Sequence, residues 1–471
     1  MSFFTNLGFM NNKRRILSMK NNEQDVIYDA RKLGSGKTLL LGFQHLFAMF
    51  GATVLVPALT GLNVSATLLF AGLGTLLFHF LCKGRVPAFL GSSFAFLAGY
   101  GAIAPNGEKE LLSYACLGVA CAGILYLILS ALIKAFGKNA IMKFFPPIVT
   151  GPVIIAIGLT LSSGAINNCS GNWLVAVAAI IIVIICNMWG KGIIRIAPIL
   201  LGVVGSSLLA IILALVCGTE VDGVITVAGN TSLALFDVSK IDAIKNAAWI
   251  GLPFSYDETV FSIFKNPDSS LIVTSIITIM PIAIATMAEH IGDISAISST
   301  VGKDYLSDPG LHRTLLGDGL ATILASLFGA PANTTYGENT GVLTLTKVFD
   351  PFVIRLAAYI AVILSFCPKI AAIISAMPVA TCGGVSLVLY GMISAVGVRN
   401  VVENKIDFTQ TRNVIIAALI LVLSIGIAYS SAGALAITIG SVTISLTGLA
   451  AGVLVGIILN AILPGKDVSA K

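Results

Sequence analysis

The fold of this chain is decided by two short stretches, FLGSSFAF at residues 89–96 and PANTTYGENTG at residues 331–341. Both interrupt strongly apolar sequence, and both are too short and too rich in Gly, Pro, Ser and Asn to form a regular membrane-crossing helix. Broken backbone of this kind is tolerated at membrane depth only where protein or a water-filled cavity satisfies the freed backbone groups. Because one such stretch lies in each half of the chain, the pair predicts a binding site at membrane depth.

The composition excludes most other classes of protein. The 471 residues are 56% hydrophobic and 11% charged, with a mean hydropathy of +0.96. Soluble domains carry about 25% charged residues, so an ordinary soluble enzyme and a disordered chain are both excluded. The eight cysteines form no CxxC pair, and we interpret them as packing residues. The net charge of +6 comes from Lys and Arg that flank apolar runs, which argues against a nucleic-acid partner.

Apolar stretches of helical length recur along the whole chain, and they predict an all-α polytopic membrane protein. A helical span needs about 20 apolar residues. Twelve stretches and the two broken ones together make fourteen transmembrane segments. The twelve lie near 38–59, 66–82, 112–136, 142–165, 173–188, 194–218, 270–298, 312–330, 351–375, 378–397, 413–430 and 434–463.

The distribution of charge sets the expected orientation. Lys and Arg concentrate in the even-numbered connections, whereas the stretch 218–269 holds seven acidic residues against three lysines. By the positive-inside rule both termini are cytoplasmic, and the polar start of the chain contains no cleavable signal peptide. The predicted organisation is a cytoplasmic tail at 1–37, a first seven-segment repeat at 38–218, an extracellular loop region at 219–269, a second repeat at 270–463 and a cytoplasmic tail at 464–471.

The spacing of polar residues supports an internal repeat. Gln44 in the first segment and Glu289 in the eighth are 245 positions apart, and Ser93 and Glu338 each follow them by 49 residues. Because each repeat has an odd number of segments, the second copy is inserted upside down. We therefore predict two inverted repeats whose broken segments meet at the membrane midplane and support alternating access.

Acidic residues inside apolar segments are costly, so each one marks a candidate functional site. Glu289 and Asp293 are four residues apart, on one face of a helix, where two neighbouring carboxyl groups tend to share a proton. We interpret them as a proton-carrying pair. The alternative is that one of them, Asp293 rather than Glu289, caps a neighbouring segment or forms a salt bridge. For Asp318, beside Arg313, a structural polar contact is the favoured interpretation.

Glu338 is predicted to lie at the start of a half helix, because Pro331, Asn333 and Gly337 disfavour a regular helix before it. The free N–H groups of such a terminus can meet ligand carbonyls while Glu338 accepts ligand N–H groups. In the first half, Phe94 offers an aromatic surface for a flat ring, with plain core packing as the alternative. Two half helices and one glutamate suit a small neutral solute that has both donors and acceptors.

Histidines give no sign of metal chemistry. A lone His in an apolar run is more often a packing residue, which is our interpretation of His79. For His45 and His290, a packing role and a functional role are kept as equal alternatives. Apart from Glu289 and Asp293, the neighbours of these histidines include no metal-ligand cluster, so we predict neither a metal nor a cofactor. Because no nucleophile and base occur together, we predict that the chain is not an enzyme.

Several long motifs resemble the nucleobase–ascorbate transporter family, and within it the bacterial uracil permeases. The likeness covers residues 38–463. It implies a core domain (segments 1–4 and 8–11) and a gate domain (segments 5–7 and 12–14) that move against each other. The motifs are FQHLFAMFGATVLVP, VPAFLGSSFAF, FFPPIVTGPVIIAIGL, MAEHIGD, DPGLHRTLLGDGLAT and PANTTYGENTGV.

The resemblance also implies a substrate site. Glu289 and Glu338 would bind the edge of a pyrimidine, with uracil as the favoured substrate. Asp293 stands where a uracil transporter of the family has a histidine that hydrogen-bonds the first glutamate. The resemblance therefore names Glu289, Asp293 and His290 for proton coupling but does not decide the order in which they carry the proton. The rest of the pocket would come from Phe94, Gly337, Tyr336 and the nearby Ala52.

Together these observations predict a uracil:proton symporter in the lipid bilayer of a bacterial cell membrane. The nearest alternative is a xanthine or urate permease of the same family. An anion transporter of the sulfate-permease type is less favoured. An anion site would need Lys or Arg at the two broken segments, and neither 88–103 nor 331–346 contains one. The family also implies a homodimer as a further expectation, with no surface assigned to it.

Overall fold

The computed structural model describes residues 26–439 and 442–465, without the side chains of Glu338, 437–439 and 442–445. The two predicted tails therefore lie largely outside the described residues. Helices dominate the described chain. They are α1 (Ser35–Thr60), α2 (Val64–Leu81), α3 (Leu97–Ile103), α4 (Lys109–Phe136), α5 (Pro147–Ser170), α6 (Trp173–Trp189), α7 (Pro198–Cys217), α8 (Val238–Asn246), α9 (Ser269–Ile279), α10 (Ala283–Val301), α11 (Leu311–Leu327), α12 (Gly337–Thr346), α13 (Pro351–Ser365), α14 (Pro368–Ser375), α15 (Val379–Glu403), α16 (Thr411–Ala428) and α17 (Gly448–Ile462).

Short strands form three small antiparallel sheets, which the all-α expectation did not include. They pair in the orders β1–β5, β2–β3–β4 and β6–β7. The strands are β1 (Leu90–Ser92), β2 (Gly218–Val221), β3 (Val224–Val227), β4 (Asn230–Asp237), β5 (Asn333–Thr335), β6 (Ala434–Ile439) and β7 (Val442–Thr447). Shorter helical turns occur at Ala30–Leu33, Lys138–Met142, Ile193–Ile196, Tyr256–Glu258, Val260–Lys265, Met280–Ile282 and Leu306–Gly310.

The length and composition of the helices define a multi-pass membrane protein. In the described residues, eight helical stretches are long and apolar enough to cross a membrane, or nine if α13 and α14 form one bent span. Two further apolar helices, α6 and α17, are shorter. Many side chains that face outward are large and apolar, such as Ile212, Leu215 and Val422. The count of fourteen segments stays a prediction.

Two apolar stretches that we predicted as single segments are divided. The stretch 270–298 stays a single span, Ser269–Val301, in which a short helical turn at Met280–Ile282 joins α9 to α10. The stretch 351–375 bends by 90° between α13 and α14, and Pro368 begins the second helix. The stretch 434–463 begins as the hairpin β6–β7, because its first part alternates β-branched residues that favour strands, and only α17 is helical.

The long helices pack into two groups. One group contains α1, α2, α4, α9, α11 and α13, and the other contains α5, α6, α7, α15, α16 and α17. Close approach within the first group depends on small residues. A Cβ atom built on Gly123 of α4 would lie 3.0 Å from the backbone oxygen of Gly319 in α11, and one built on Gly319 would lie 3.0 Å from that of Gly123.

The two broken stretches meet, as the sequence predicts, and they do so as paired strands. In the antiparallel register, Leu90 lies opposite Thr335 and Ser92 lies opposite Asn333. Each strand is followed by a short helix, α3 after β1 and α12 after β5. The broken backbone of one half therefore satisfies that of the other inside the protein.

The predicted loop region 219–269 is folded. It contains the sheet β2–β3–β4, the helix α8 and two short turns. On another side of the molecule, residues before α1 are attached to the connection between α12 and α13. The backbone N–H of Ile27 donates to the oxygen of Lys347 at 3.0 Å, and that of Ala30 donates to Oδ2 of Asp350 at 2.8 Å. Part of the predicted tail thus packs against the second half of the chain.

Candidate functional site

A cavity of about 190 Å³ lies where the two broken stretches meet. Residues that follow β1 and β5 form one side of it, and α5, α10 and α15 close the others. Five of the predicted site residues line this cavity, together with six that were not predicted. The lining residues are Phe94, Ile154, Glu289, Asp293, Thr334, Thr335, Tyr336, Gly337, Met392, Ile393 and Val396.

The strand pair is held in place by one threonine from each half of the chain. The N–H of Leu90 in β1 donates to Oγ1 of Thr75 in α2 at 2.9 Å. The hydroxyl of Thr322 in α11 donates to the backbone oxygen of Asn333 in β5 at 2.7 Å. Both threonines are buried, so these bonds are shielded from competition with water and fix the strands against the surrounding helices.

Tyr336 links the second strand to the first half of the chain. Its backbone N–H donates to the oxygen of Phe89 at 3.0 Å, and its hydroxyl donates to the oxygen of Ser92 at 2.9 Å. The hydroxyl of Thr53 in α1 donates to the Tyr336 hydroxyl at 3.3 Å. A Cβ atom built on Gly91 would lie 2.5 Å from the Tyr336 ring, so glycine is required where the ring crosses β1. Tyr336 therefore shapes the cavity wall through contacts that are already satisfied.

Two acidic side chains from α10 face the cavity. Asp293 is 7% exposed, and its Oδ2 accepts a hydrogen bond from the hydroxyl of Thr335 at 2.8 Å. Glu289, one helical turn earlier, is half-buried. Among the described residues that line the cavity, these two are acidic and none is basic. The electrostatics favour a proton or a neutral solute over an anion.

The start of α12 forms the other polar wall. Gly337 is its first residue, and the preceding Tyr336 is extended, so the helix begins at the cavity as predicted. The amide of Asn339 donates to the backbone oxygen of His45 at 3.1 Å, and its nitrogen lies 3.1 Å from Nδ1 of that histidine. This contact attaches α12 to α1. The side chain of Glu338 lies outside the described residues.

His290, which we predicted to take part in proton coupling, points away from the cavity. Its Nδ1 lies 2.9 Å from Oδ2 of Asp318, and both side chains are completely buried. The Phe78 ring packs edge-on against the imidazole, with centroids 6.4 Å apart. Asp318 thus makes the structural polar contact that the sequence favoured, but its partner is His290 and not Arg313, which donates to the oxygen of Leu81.

Of the remaining residues that the sequence singled out, some line the cavity and others only pack in the core. His79 lies 2.8 Å from the backbone oxygen of Ala88 through Nε2, which fits a packing role. Ala52 is fully buried in α1 and does not line the cavity. Phe94 does line it, is 6% exposed, and packs edge-on against Tyr390 of α15 with ring centroids 5.7 Å apart.

Sequence reasoning missed the lining residues of α5 and α15. Ile154, Met392, Ile393 and Val396 are ordinary apolar residues of long helices, so no local signal distinguishes them. Thr335 was within a quoted motif, three residues before Glu338, but its bond to Asp293 joins residues 42 positions apart and left no local signal. Within residues 26–439 and 442–465, no three His, Cys, Asp or Glu side chains are grouped to hold a metal ion.

A multi-pass helical bundle with a small cavity between two paired broken segments is a membrane transporter by architecture. The permease family model, Xan_ur_permease, matches residues 36–433, and the chain belongs to this family. The uracil permease of Bacillus caldolyticus is 39% identical over 449 residues, which cover 93% of this chain and 94% of that protein. The uracil permease of Escherichia coli K12 is 35% identical over 437 residues, which cover 90% of this chain and 91% of that protein.

One solved structure supports the fold independently of close sequence similarity. The transmembrane domain of a cyanobacterial bicarbonate transporter, BicA, matches with a TM-score of 0.59 at 14% identity, covering 92% of this chain and 98% of that domain. At this identity the match establishes the shared fold alone. The motif resemblance to the nucleobase–ascorbate transporters and their uracil permeases is confirmed by the family model and the curated relatives.

Proposed function

We propose that this chain is a uracil:proton symporter of a bacterial cell membrane. The observation that carries the proposal is the cavity of about 190 Å³ that Phe94, Glu289, Asp293 and Gly337 share. It combines an aromatic surface, two acidic groups and a helix N-terminus around a space suited to one small ring. Relatives that cover nine-tenths of the chain are named uracil permeases, which favours uracil as the solute.

In the proposed cycle, Glu289 takes up a proton while the site faces outward, with Asp293 sharing or relaying that proton. Uracil then binds between Glu289 and Glu338, and each carboxyl group meets a ring N–H or carbonyl. Protonation removes a buried charge that is expensive to carry through a closed state. Substrate and proton therefore move together. One proton moving down a potential of 100 mV supplies about 2.3 kcal/mol for accumulation.

The proposed architecture is fourteen segments in two inverted repeats. Support comes from the antiparallel pairing of β1 with β5 and from the same order of elements in both halves, a strand followed by a short helix after two long helices. We assign the helix group of α1, α2, α4, α9, α11 and α13, with α10 and the strand pair, to the moving core. The group of α5, α6, α7, α15, α16 and α17 is the gate, with both chain termini cytoplasmic and residues 219–269 outside.

Two other substrates deserve direct comparison. Xanthine or urate would be carried by a permease of the same family, and these bases need a larger cavity than uracil does. An anion is the second candidate, because the fold is shared with a bicarbonate transporter. Acidic Glu289 and Asp293 in the cavity, without a basic lining residue among those described, argue against an anion.

Uptake of labelled uracil into proteoliposomes tests the proposal. With an imposed inward proton gradient, we expect accumulation that unlabelled uracil suppresses, that xanthine and sulfate do not, and that an uncoupler abolishes. Equilibration without accumulation would remove proton coupling from the proposal and keep the substrate. Accumulation of xanthine in preference to uracil would overturn the substrate assignment.

A further inference from the structure

A second cavity, far more apolar than the substrate cavity, lies between the two helix groups. We call it the outer crevice. It has a volume of about 630 Å³ and is lined by α1, α7, α14, α8 and the sheet β2–β3–β4. Ser207 carries the only polar side chain among the described residues that line it, and its hydroxyl has no hydrogen-bond partner there. The crevice is thus lined almost entirely by hydrocarbon.

The depth of the crevice distinguishes it from an ordinary lipid-facing surface. Near its mouth, Leu208 and Ile373 are each 53% exposed. At its inner end, Val54 is 2% exposed and Val203 is 8% exposed. A slender molecule entering from the side of the bundle would therefore reach side chains that the bilayer otherwise does not touch.

The helix α8, which covers the outer crevice, has the features of a helix that lies at the bilayer surface. Ile241 and Ile244 of α8 face into the crevice, whereas Lys240 and Lys245 on the same helix are exposed. Such an amphipathic helix, rich in lysine on its polar face, is typical of a membrane interface. The side chain of Trp249, just beyond α8, is 72% exposed, and aromatic residues of this kind concentrate at headgroup level.

The charge at the end of the outer crevice that α8 covers is complementary to a phosphate group. The ammonium of Lys369, at the start of α14, donates to the backbone oxygen of Ile244 at 2.6 Å, which holds α14 against the end of α8. Lys240 and Lys245 lie on the adjacent turns, and Asp242 pairs with Lys245 at 2.8 Å. Three lysines against two acids, Asp242 and the Asp237 that precedes α8, leave this rim with a net positive charge, so an anionic headgroup is attracted to it.

From these features we infer that the outer crevice binds one acyl chain of a bilayer phospholipid, with the phosphate at the lysine rim of α8. An apolar cavity that opens sideways into hydrocarbon and is covered at headgroup level fits an acyl chain better than water or a polar solute. Filling it restores the dispersion contacts that an empty space would lose. Because α1 and α7 belong to different helix groups, the bound chain contacts both at once.

Photolabelling tests this inference on the full-length chain in vesicles. The probe is a phosphatidylglycerol that carries a diazirine in the middle of one acyl chain, mixed into phosphatidylcholine. After irradiation, mass spectrometry of peptides locates the label. We expect label on Val54 and Val203, which are nearly inaccessible except through the crevice, as well as on Ile212, which faces the bilayer directly. Label on Ile212 without label on Val54 and Val203 would overturn the inference.

A pair of variants on α7 sharpens the test. In Val204→Trp the new ring fills the crevice, because Val204 lines it, and we expect the label on Val54 to fall at least fivefold. Ile212→Trp is the matched control, since Ile212 is similarly exposed on the same helix but does not line the crevice. Unchanged labelling of Val54 in a folded Val204→Trp would also overturn the inference. If that variant does not fold, the labelling pattern of the unmodified chain decides alone.

Discussion

Thr335 donates a hydrogen bond from its hydroxyl to Oδ2 of Asp293 at 2.8 Å. The bond joins the end of β5 to the face of α10 that carries both cavity acids, so the strand that opens onto α12 and the predicted proton-carrying pair share one contact. Substrate contacts made near the start of α12 can therefore act on the orientation of Asp293. In the proposed symporter this bond connects the uracil contacts at α12 with the proton-carrying pair on α10.

Thr335→Val is expected to weaken uracil binding by about tenfold. Valine keeps the shape of threonine but removes the hydroxyl, and a hydrogen bond to a charged group contributes about 1.5–3 kcal/mol. Isothermal titration in detergent measures the affinity. Thr344→Val is the control, because the hydroxyl of Thr344 is exposed and donates only to the oxygen of Thr340 in its own helix. Equal affinities for the two variants would show that the bond to Asp293 does not matter for binding.

Glu338→Gln is expected to abolish measurable uracil binding, because the variant loses the carboxylate proposed to accept a ring N–H. Uracil-dependent thermal shift and uptake are the measurements. Glu403→Gln is the control: Glu403 is half-exposed at the far end of α15 and pairs with Arg399 at 2.6 Å. Near-normal affinity in Glu338→Gln would remove this residue from the proposed site.

Met392→Ala is expected to broaden selectivity toward larger bases. Met392 lines the cavity from α15, and its truncation enlarges a space of about 190 Å³ without touching either acid. Xanthine should then compete with labelled uracil at a concentration at least fivefold lower than in the unmodified chain. Val402→Ala, on the same helix but 67% exposed, should leave competition unchanged. A loss of uracil binding with no gain for xanthine would contradict a size-based explanation.

His290→Ala is expected to destabilise the protein by about 1–3 kcal/mol, because it leaves the buried carboxyl group of Asp318 without its partner. Replacing both residues together, as His290→Leu with Asp318→Leu, should recover part of that loss, since no buried polar group is then left without a partner. Thermal unfolding in detergent measures both effects. Unchanged stability in His290→Ala, together with loss of gradient-driven accumulation, would instead support the proton-coupling role predicted from the sequence.

Asp350→Ala is expected to lower stability by about 1–2 kcal/mol. The carboxylate accepts from the N–H of Phe352, the second residue of α13, and from that of Ala30, which precedes α1. Both bonds are lost together, so limited proteolysis should also cut the chain before α1 sooner. Asp29→Ala removes only a local bond to Arg31 at an exposed site and is the matched control. Identical proteolysis of both variants would count against the attachment.

The sequence was sufficient for those parts of the fold that depend on local chemistry. Apolar runs of span length predicted the long helices, and Gly, Pro and Asn predicted the breaks at β1 and β5. Their symmetric spacing in the chain predicted that the two breaks meet, but not that they pair as strands. The prediction failed inside two apolar runs: the run 351–375 bends where Pro368 begins α14, and the β-branched residues after Ala434 form a hairpin. Hydrophobicity alone does not distinguish these outcomes.

The candidate site was predictable where polar residues fell in apolar surroundings, as for Glu289 and Asp293. The orientation of a side chain about its helix was harder to predict. His290 follows Glu289 directly, but one residue is a rotation of about 100° on an α-helix, and that rotation turns the imidazole toward Asp318. Ile154 and Met392 could not be found at all, because distant helices bring them to the cavity through tertiary packing.

The pairing of β1 with β5 has to wait during synthesis until the second half of the chain is made. Ser92 leaves the ribosome 241 residues before Asn333, its partner in the register. At about 5–20 residues per second, the edge of the first strand that pairs with β5 stays unpaired for roughly 12–48 s. A chain terminated after α7 would retain that unmatched edge permanently. The two halves of this permease therefore mature as one unit, because neither broken segment has its strand partner until both have been synthesised.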